Sequence, residues 1–173
     1  MMLTLGEKIM PRRTLKGTLV YLRELREDFF SDYLAAFLER VQKLLHVQNI
    51  KSERDYLCTR LEKQKKGQTI FFCLFDSKTD RLIGALEIRD QIETSSQLYS
   101  WLHEDFWGTG RYQEVLRLAA QEYFIRTNKI FFSAHVDKKN KRSYFALKKN
   151  GFADFAIRNG PHGKQYQLIF RKK

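Results

Sequence analysis

The segment YSWLHEDFWGTGRYQEVLR, residues 99–117, passes from a β-rich run through a glycine turn into a helical pattern. The first N–H groups of a helix have no intrahelical partner, and the helix dipole adds partial positive charge there. Because glycine lets an anion approach the backbone closely, Gly108 and Gly110 predict a phosphate-binding turn. A glycine pair is also common in ordinary turns. Its spacing is neither GxGxxG nor GxxxxGKS/T, so neither a Rossmann dinucleotide site nor a P-loop is indicated.

The flanking patterns predict a mixed α/β fold around one central sheet. Strands are expected at residues 19–25, in a hairpin over 68–90 with its turn at 76–80, and at 98–102, 130–136 and 166–170. The first helix is expected after Asp28 as its cap, with apolar positions that include Phe37, Val41, Leu44 and Leu45. Further helices are expected from Ser52 to Gly67, over 112–125 and over 140–150, the last closed by Gly151.

Length and charge restrict the class of protein further. The 173 residues favour one domain, and 43% hydrophobic residues supply a core. The formal net charge is +12, and residues 137–173 hold 11 basic and 2 acidic side chains. A basic surface favours acidic or phosphorylated partners over polycations. No apolar run is long enough to span a membrane, so a cytoplasmic protein is expected.

The two cysteines, Cys58 and Cys73, form no CxxC or CxxH pattern and have no His at metal-ligand spacing. We therefore expect buried, reduced thiols and no metal site.

Segment 99–117 closely resembles the acetyl-coenzyme A motif of the GNAT N-acetyltransferases, in the RimJ/RimL-type branch that acetylates N-terminal amines of ribosomal proteins. The resemblance continues in the same order at LKGTLVYLREL (15–25), LIGAL (82–86), DKKNKRS (137–143) and KNGF (149–152). It implies a single GNAT-like domain over residues 14–173, after an N-terminal extension of residues 1–13. The implied fold is a central, mostly antiparallel mixed sheet flanked by helices, with a splayed strand pair for acetyl-CoA.

The same resemblance implies roles for individual residues. Acetyl-CoA would lie between the strands that end near Leu102 and Val136, and the Leu102 N–H would stabilise the oxyanion. Asn140 would contact the pantetheine arm, and Ser143 would protonate the departing thiolate. From the residues alone, Asn140 and Ser143 equally suit a helix N-cap and first turn. The pyrophosphate would bind the backbone of Gly108, Thr109, Gly110, Arg111, Tyr112 and Gln113.

Two positions depart from the family pattern. Tyr112 replaces a usual Ala or Gly, so its ring either swings outward or crowds the pyrophosphate. Gln97 replaces a frequent Glu and cannot accept a proton, so it offers no general base. Substitute bases are Glu87, Glu104, His103 and His135, each of which also suits an ordinary surface or hydrogen-bonded role, whereas His162 is expected to face solvent.

Three functions remain open at this level. The first is acetylation of a primary amine, above all the N-terminal α-amine of an acidic protein. This amine has a pKa near ~7.7–8.0, against ~10.4 for Lys, and so needs less help from a base. The second is acetylation of an amine carried by RNA, held by the basic C-terminal segment. The third is a degenerate module that binds CoA without turnover. A monomer or a homodimer is expected.

Overall fold

The computed structural model describes residues 13–37, 50–92 and 95–172. Within these three ranges, eight strands and four helices follow one another, with short 3-10 turns at Glu27–Phe29 and Glu104–Phe106. The strands are β1 (Thr14–Lys16), β2 (Val20–Glu24), β3 (Thr69–Asp76), β4 (Leu82–Ile92), β5 (Ser95–Leu102), β6 (Phe131–Asp137), β7 (Ala153–Gly160) and β8 (Gly163–Arg171). The helices are α1 (Phe30–Ala36), α2 (Ile50–Lys65), α3 (Arg111–Arg126) and α4 (Lys141–Lys149).

All eight strands form one sheet in the order β1-β2-β3-β4-β5-β6-β8-β7. Every neighbouring pair is antiparallel except β5 and β6, which are parallel. Parallel neighbours need a crossover connection, and α3 provides it. The predicted mixed, mostly antiparallel sheet flanked by helices is therefore confirmed.

The parallel pairing of β5 and β6 is short. Only Gln97 with Ser133 and Leu98 with Ala134 lie in register. Beyond these two positions β5 continues to Leu102 and β6 to Asp137 without pairing to each other. The two strands therefore separate, which is the splay that the resemblance implied.

Each face of the sheet carries its own apolar core, because strand side chains alternate between faces. On one face, Val115 and Leu116 of α3 and Leu147 of α4 pack against β-strand residues such as Leu98. On the other face, α1 and α2 cover the sheet, and this second core contains Phe30, Tyr33, Phe37, Leu57, Phe71 and Trp101. The splay between β5 and β6 thus lies between two helical layers.

Several local expectations were wrong. Asp28 does not cap the first helix: it lies in a 3-10 turn and accepts two hydrogen bonds from Arg26. The helix ends before Phe37, and the apolar positions Val41, Leu44 and Leu45 lie outside the described residues. Ser52 lies within α2, which begins at Ile50. Cys58 is exposed, whereas Cys73 is buried as expected.

Strands β1 and β7 were not predicted. Strand β1 has only three residues, and β7 is an edge strand that is exposed from Ala153 to Asn159. In β7 the apolar residues Ala153, Phe155 and Ile157 do alternate with less apolar ones, a strand signal that sequence reading missed, and their side chains stay exposed. Gly67 and Gly151 do end α2 and α4 as expected. No helix of the described residues is long and apolar enough to cross a membrane.

Glu114 connects α3 to the start of the sheet. Its carboxylate accepts hydrogen bonds from the backbone N–H groups of Thr18, Leu19 and Val20 at 2.7–2.9 Å. Partial burial alone would raise the pKa of Glu114, but the three N–H donors and Arg117 hold it below its ordinary value. The ionised carboxylate therefore stabilises the β1–β2 turn against α3.

We expect Glu114→Ala to lower the free energy of unfolding by about 2 kcal/mol or more, because hydrogen bonds to charged groups are among the stronger ones. Since the folded pKa is lowered, this contribution is complete above the unfolded pKa of about 4.3 and is lost as pH falls through the folded value. Urea denaturation at pH 7 and below pH 4 measures both effects. Glu62→Ala, which removes an exposed carboxylate on α2, is the control; equal losses in the two variants would contradict the role of Glu114.

Candidate active site

The separation of β5 and β6 opens a cleft of about 720 Å³. Its walls include the ends of both strands, and it reaches α1 and α2 on one side and the starts of α3 and α4 on the other. The cleft therefore passes through the sheet and connects its two faces. A small molecule entering from one face can meet a second one from the other.

The backbone of Leu102 faces this cleft. His103 donates its N–H to the carbonyl of Ile83 at 2.7 Å, so Ile83 and His103 form a hydrogen-bonded pair of the β4–β5 ladder. The neighbouring pair, Gly84 and Leu102, must then be a non-hydrogen-bonded pair, whose N–H and C=O groups point away from each other. The Leu102 carbonyl accepts from the Trp107 indole N–H at 2.7 Å. Its N–H points to the side that β6 has left.

The glycine turn presents a row of backbone donors. Gly108 and Gly110 have φ values of +75° and +81°, in the left-handed region that favours glycine, and Gly110 is the N-cap of α3. Within the part of the chain that the structure describes, the N–H groups of residues 108–113 donate no hydrogen bond. Thr109 uses its hydroxyl on the Phe106 carbonyl at 2.6 Å. The turn combines unsatisfied donors with the positive end of a helix, the arrangement that binds phosphate.

Two arginines flank this turn in different ways. The Arg111 guanidinium is turned away to Asp76, with its Nε and Nη2 atoms each 2.7 Å from the same carboxylate oxygen, Oδ1. Only the backbone of Arg111 therefore belongs to the donor row. Arg142, at the start of α4, stacks over the Trp107 ring at 3.0 Å from its centroid and lines the cleft. It brings a cation next to the glycine turn.

Tyr112 turns its ring inward and does not swing outward. Its hydroxyl lies 2.7 Å from the Ser100 hydroxyl on β5, and its ring lines the cleft. Burial raises the pKa of Tyr112, so the phenol stays neutral. The ring forms part of the cleft wall, while Gly108, Thr109 and Gly110 remain exposed.

Asn140 and Ser143 lie together at the start of α4. The Asn140 side-chain oxygen accepts the Ser143 N–H at 3.1 Å, which makes Asn140 the N-cap of the helix. The Ser143 hydroxyl lines the cleft and makes no hydrogen bond to the described residues. The ordinary N-cap reading of Asn140 thus holds, and its contact with a pantetheine arm stays a prediction.

The carboxylate Glu87, expected as a substitute base, is already occupied. It accepts hydrogen bonds from Tyr56, Thr69 and Arg89 at 2.6–2.8 Å. A carboxylate bonded by three side chains in this way serves the structure. Gln97 is buried on β5, opposite Ser133, at the start of the splay.

The histidine and Glu104 candidates are less well placed or already engaged. His103 accepts the Asp105 N–H at 3.3 Å, and neither His103 nor Glu104 lines the cleft. His135 does line it, but burial and then the charge of Arg158 lower its pKa. His162 is exposed as expected, at the rim of the cleft.

Sequence reading overlooked Glu53. The residue is on α2, four positions before the buried Leu57, and that spacing puts both on one helix face. Its carboxylate accepts the Tyr33 hydroxyl at 2.7 Å, and the Tyr33 oxygen accepts the Trp101 indole N–H at 3.0 Å. Burial raises the pKa of Glu53. The Tyr33 hydrogen bond and the charge of Arg89 act in the opposite direction and offset only part of this rise.

Comparison with known proteins gives a consistent result. Residues 20–153 match the acetyltransferase (GNAT) domain family. No match was found among curated protein sequences. Many solved structures share the fold. One is an acetyltransferase from Salmonella typhimurium that modifies the N-terminal serine of the ribosomal protein L7/L12, with 16% identity, 93% of this chain and 100% of that chain covered, and a TM-score of 0.81.

Two further structures are similar at the same level. The ribosomal-protein-S5-alanine acetyltransferase from Vibrio fischeri has 12% identity, covers 92% of this chain and 96% of its own, and has a TM-score of 0.77. RimL, a ribosomal L7/L12 α-N-protein acetyltransferase in complex with coenzyme A, has 15% identity, coverage of 92% and 98%, and a TM-score of 0.77. The TM-scores show that the fold is shared, and at identities of 12–16% the similarity shows the fold alone.

Asn140 offers a test that separates a cap from a ligand contact. Asn140→Ala should lose about 1 kcal/mol of stability, because the Ser143 N–H loses its acceptor, whereas Asn140→Ser keeps a capping oxygen. If the Asn140 amide also contacts the pantetheine arm, Asn140→Ser should keep the wild-type melting temperature but bind acetyl-CoA about three- to tenfold more weakly. Calorimetry of unfolding and of binding measures both. Wild-type affinity for acetyl-CoA in both variants would show that Asn140 caps the helix and does not contact the pantetheine arm.

Proposed function

The chain belongs to the acetyltransferase (GNAT) domain family, and from that premise we propose that it acetylates, in the cytoplasm, the N-terminal α-amine of a protein. The observation that carries this proposal is the cleft at the β5–β6 splay, open to both faces of the sheet. One face offers backbone donors and a cation for a phosphorylated acetyl donor. The other face leaves room for an amine.

The described residues fit acetyl-CoA. The unsatisfied N–H groups of residues 108–113 and the Arg142 guanidinium suit its pyrophosphate, and the apolar cleft wall suits its pantetheine arm. When bound, its thioester supplies an activated acetyl group. The N–H of Leu102 is directed at the cleft, where it would hold the carbonyl oxygen of that group and favour the charge that develops there.

Ser143 fits the part of a proton donor to the leaving sulfur. Its hydroxyl lines the cleft at the first turn of α4, and no described residue competes for it. The N–H groups at the start of the same helix favour negative charge nearby. A thiolate leaving beside Ser143 would therefore be stabilised and protonated there.

The choice of acceptor rests on three supports. RimL in complex with coenzyme A and the Salmonella typhimurium enzyme are similar folds, and both act on ribosomal protein L7/L12. An α-amine is partly neutral at pH 7, whereas a Lys side chain is almost entirely protonated. The net charge of +12 favours an acidic protein over a polyamine as the partner.

A panel of acceptors tests the proposal. With acetyl-CoA, free-thiol release should be faster with peptides that carry a free N-terminus and acidic residues than with the same peptides blocked at the N-terminus. Spermidine should be a poorer acceptor than any of them, because the protein is strongly positive. Faster acetylation of spermidine, or acetyl-CoA binding without thiol release across the whole panel, would overturn the proposed function.

Ser143→Ala should lower kcat by about 100-fold, the scale of one positioned proton donor, while acetyl-CoA binds with unchanged affinity. Ser77→Ala is the matched control, because Ser77 is exposed in the β3–β4 turn and bonds to the described residues only through its backbone N–H, which donates to the Leu19 carbonyl. Steady-state kinetics and binding calorimetry give the two numbers. If Ser143→Ala has the same kcat as Ser77→Ala, Ser143 does not donate the proton.

A further inference from the structure

Buried carboxylates in the described residues follow one rule with one exception. Four of them are buried, and three have an arginine within 4.0 Å, as a buried charge requires. These three pairs are Asp76 with Arg111, Glu87 with Arg89, and Glu122 with Arg126, each with a nitrogen–oxygen distance of 2.7 Å. The exception is Glu53.

Glu53 is 6% exposed, and no Lys, Arg or His of the described residues lies within ion-pair distance of it. One oxygen, Oε1, accepts the Tyr33 hydroxyl. The other, Oε2, has no hydrogen-bond donor in the described part of the chain. A carboxylate in this position costs stability unless a cation from outside completes it. Glu53 is therefore placed to form an ion pair with a cation supplied by a bound molecule.

The position of Glu53 in the cleft indicates which cation would fit. Glu53 lines the cleft together with Tyr33 and Trp101, on the face covered by α1 and α2. Arg142 and the residues that flank the glycine turn, Trp107 and Tyr112, line the cleft from the other face. Trp101 directly precedes Leu102 on β5, so the hydrogen-bonded series from Trp101 through Tyr33 to Glu53 begins next to the backbone N–H that points into the splay.

We propose that Glu53 is the acceptor-side carboxylate, which binds the ammonium group of the incoming amine and removes its proton. This inference rests on the proposed function and adds to it the general base that Gln97 does not provide. Tyr33 is a positioning residue: its hydroxyl holds Oε1 and leaves Oε2 for the amine. Trp101 in turn fixes the Tyr33 oxygen.

Glu53 takes one proton from the ammonium group, and the neutral nitrogen then forms a bond to the acetyl carbon while the carbon–sulfur bond breaks. A second proton leaves the nitrogen for the sulfur, with Ser143 as donor and acceptor. Glu53 returns its proton to solvent. An ammonium and a thioester thus become an amide, a thiol and one released proton.

The titratable groups around this part of the cleft come from several elements: Tyr33 of α1, Tyr56 of α2, Glu87 and Arg89 of β4, Tyr99 of β5 and His135 of β6. Of these, Tyr33 and Arg89 act directly on Glu53, and both favour its ionised form against the effect of burial. A limb of the pH profile below neutrality is assigned by comparing Glu53 with His135, the histidine of β6 that lines this part of the cleft. Variants of each separate them.

Glu53→Gln is the decisive variant, and Glu62→Gln, exposed on the same helix, is its control. Glu53→Gln should lower kcat/KM for a peptide amine by about 100-fold or more, the range for one general base, and leave acetyl-CoA affinity unchanged. The limb of kcat/KM that ascends below neutrality should disappear in Glu53→Gln and persist in His135→Gln, whereas a limb at the pKa of the substrate amine can remain in Glu53→Gln. Because the substitution removes an unpaired buried charge, the melting temperature should not fall.

Two results would overturn the inference. One is a Glu53→Gln enzyme with wild-type kcat/KM; the other is a loss of activity that matches a loss of melting temperature and of acetyl-CoA affinity, which would make Glu53 structural. Tyr33→Phe is a second probe. If Tyr33 positions Glu53, this variant should lose less kcat/KM than Glu53→Gln and should show a shifted ascending limb in its pH profile. An unshifted limb argues against this role of Tyr33. Failure of the proposed function is seen separately, because the wild-type enzyme would then acetylate no N-terminal amine.

Discussion

The central constraint in this protein is that β5 and β6 pair at only two positions, Gln97 with Ser133 and Leu98 with Ala134. Backbone donors and acceptors inside a protein need partners, and past these positions the facing edges of the two strands have none from each other. The edge of β5 therefore remains available at Leu102, in the middle of the molecule. The glycine turn follows β5 after one short 3-10 turn, and the residues on either side of it, Trp107 and Tyr112, line the same opening.

Opposite charges lie at the two faces of this opening. The glycine turn and Arg142 favour an anion on the α3 and α4 face, and Glu53 favours a cation on the α1 and α2 face. In a protein of net charge +12, a buried carboxylate without an arginine is unexpected on electrostatic grounds. The arrangement suits two substrates of opposite charge that meet where the strands part. Arg142 is thus one part of the overall positive charge that has a local role, at the anion-binding face of the cleft.

How far the site was predictable depended on whether each feature was local in the chain. The glycine turn, the start of α3 and the Asn140 cap each depend on a few consecutive residues, and they were found at the expected positions. The Arg111 side chain and the Tyr112 ring depend on partners 35 and 12 residues away, Asp76 and Ser100. Glu53 depends on Tyr33 of another helix, so nothing near it in sequence marks it.

By itself, the sequence determined the class of fold, the order of most elements, the glycine turn before α3 and a resemblance that matches the family found. These follow from periodicity, turn residues and ordered motifs, which are local properties of the chain. Only the tertiary structure determined which carboxylates are paired, where the Tyr112 ring points and how far β5 and β6 stay together. Burial, ion pairing and strand register arise between segments distant in sequence, and the energies that select them exist only once the chain has packed.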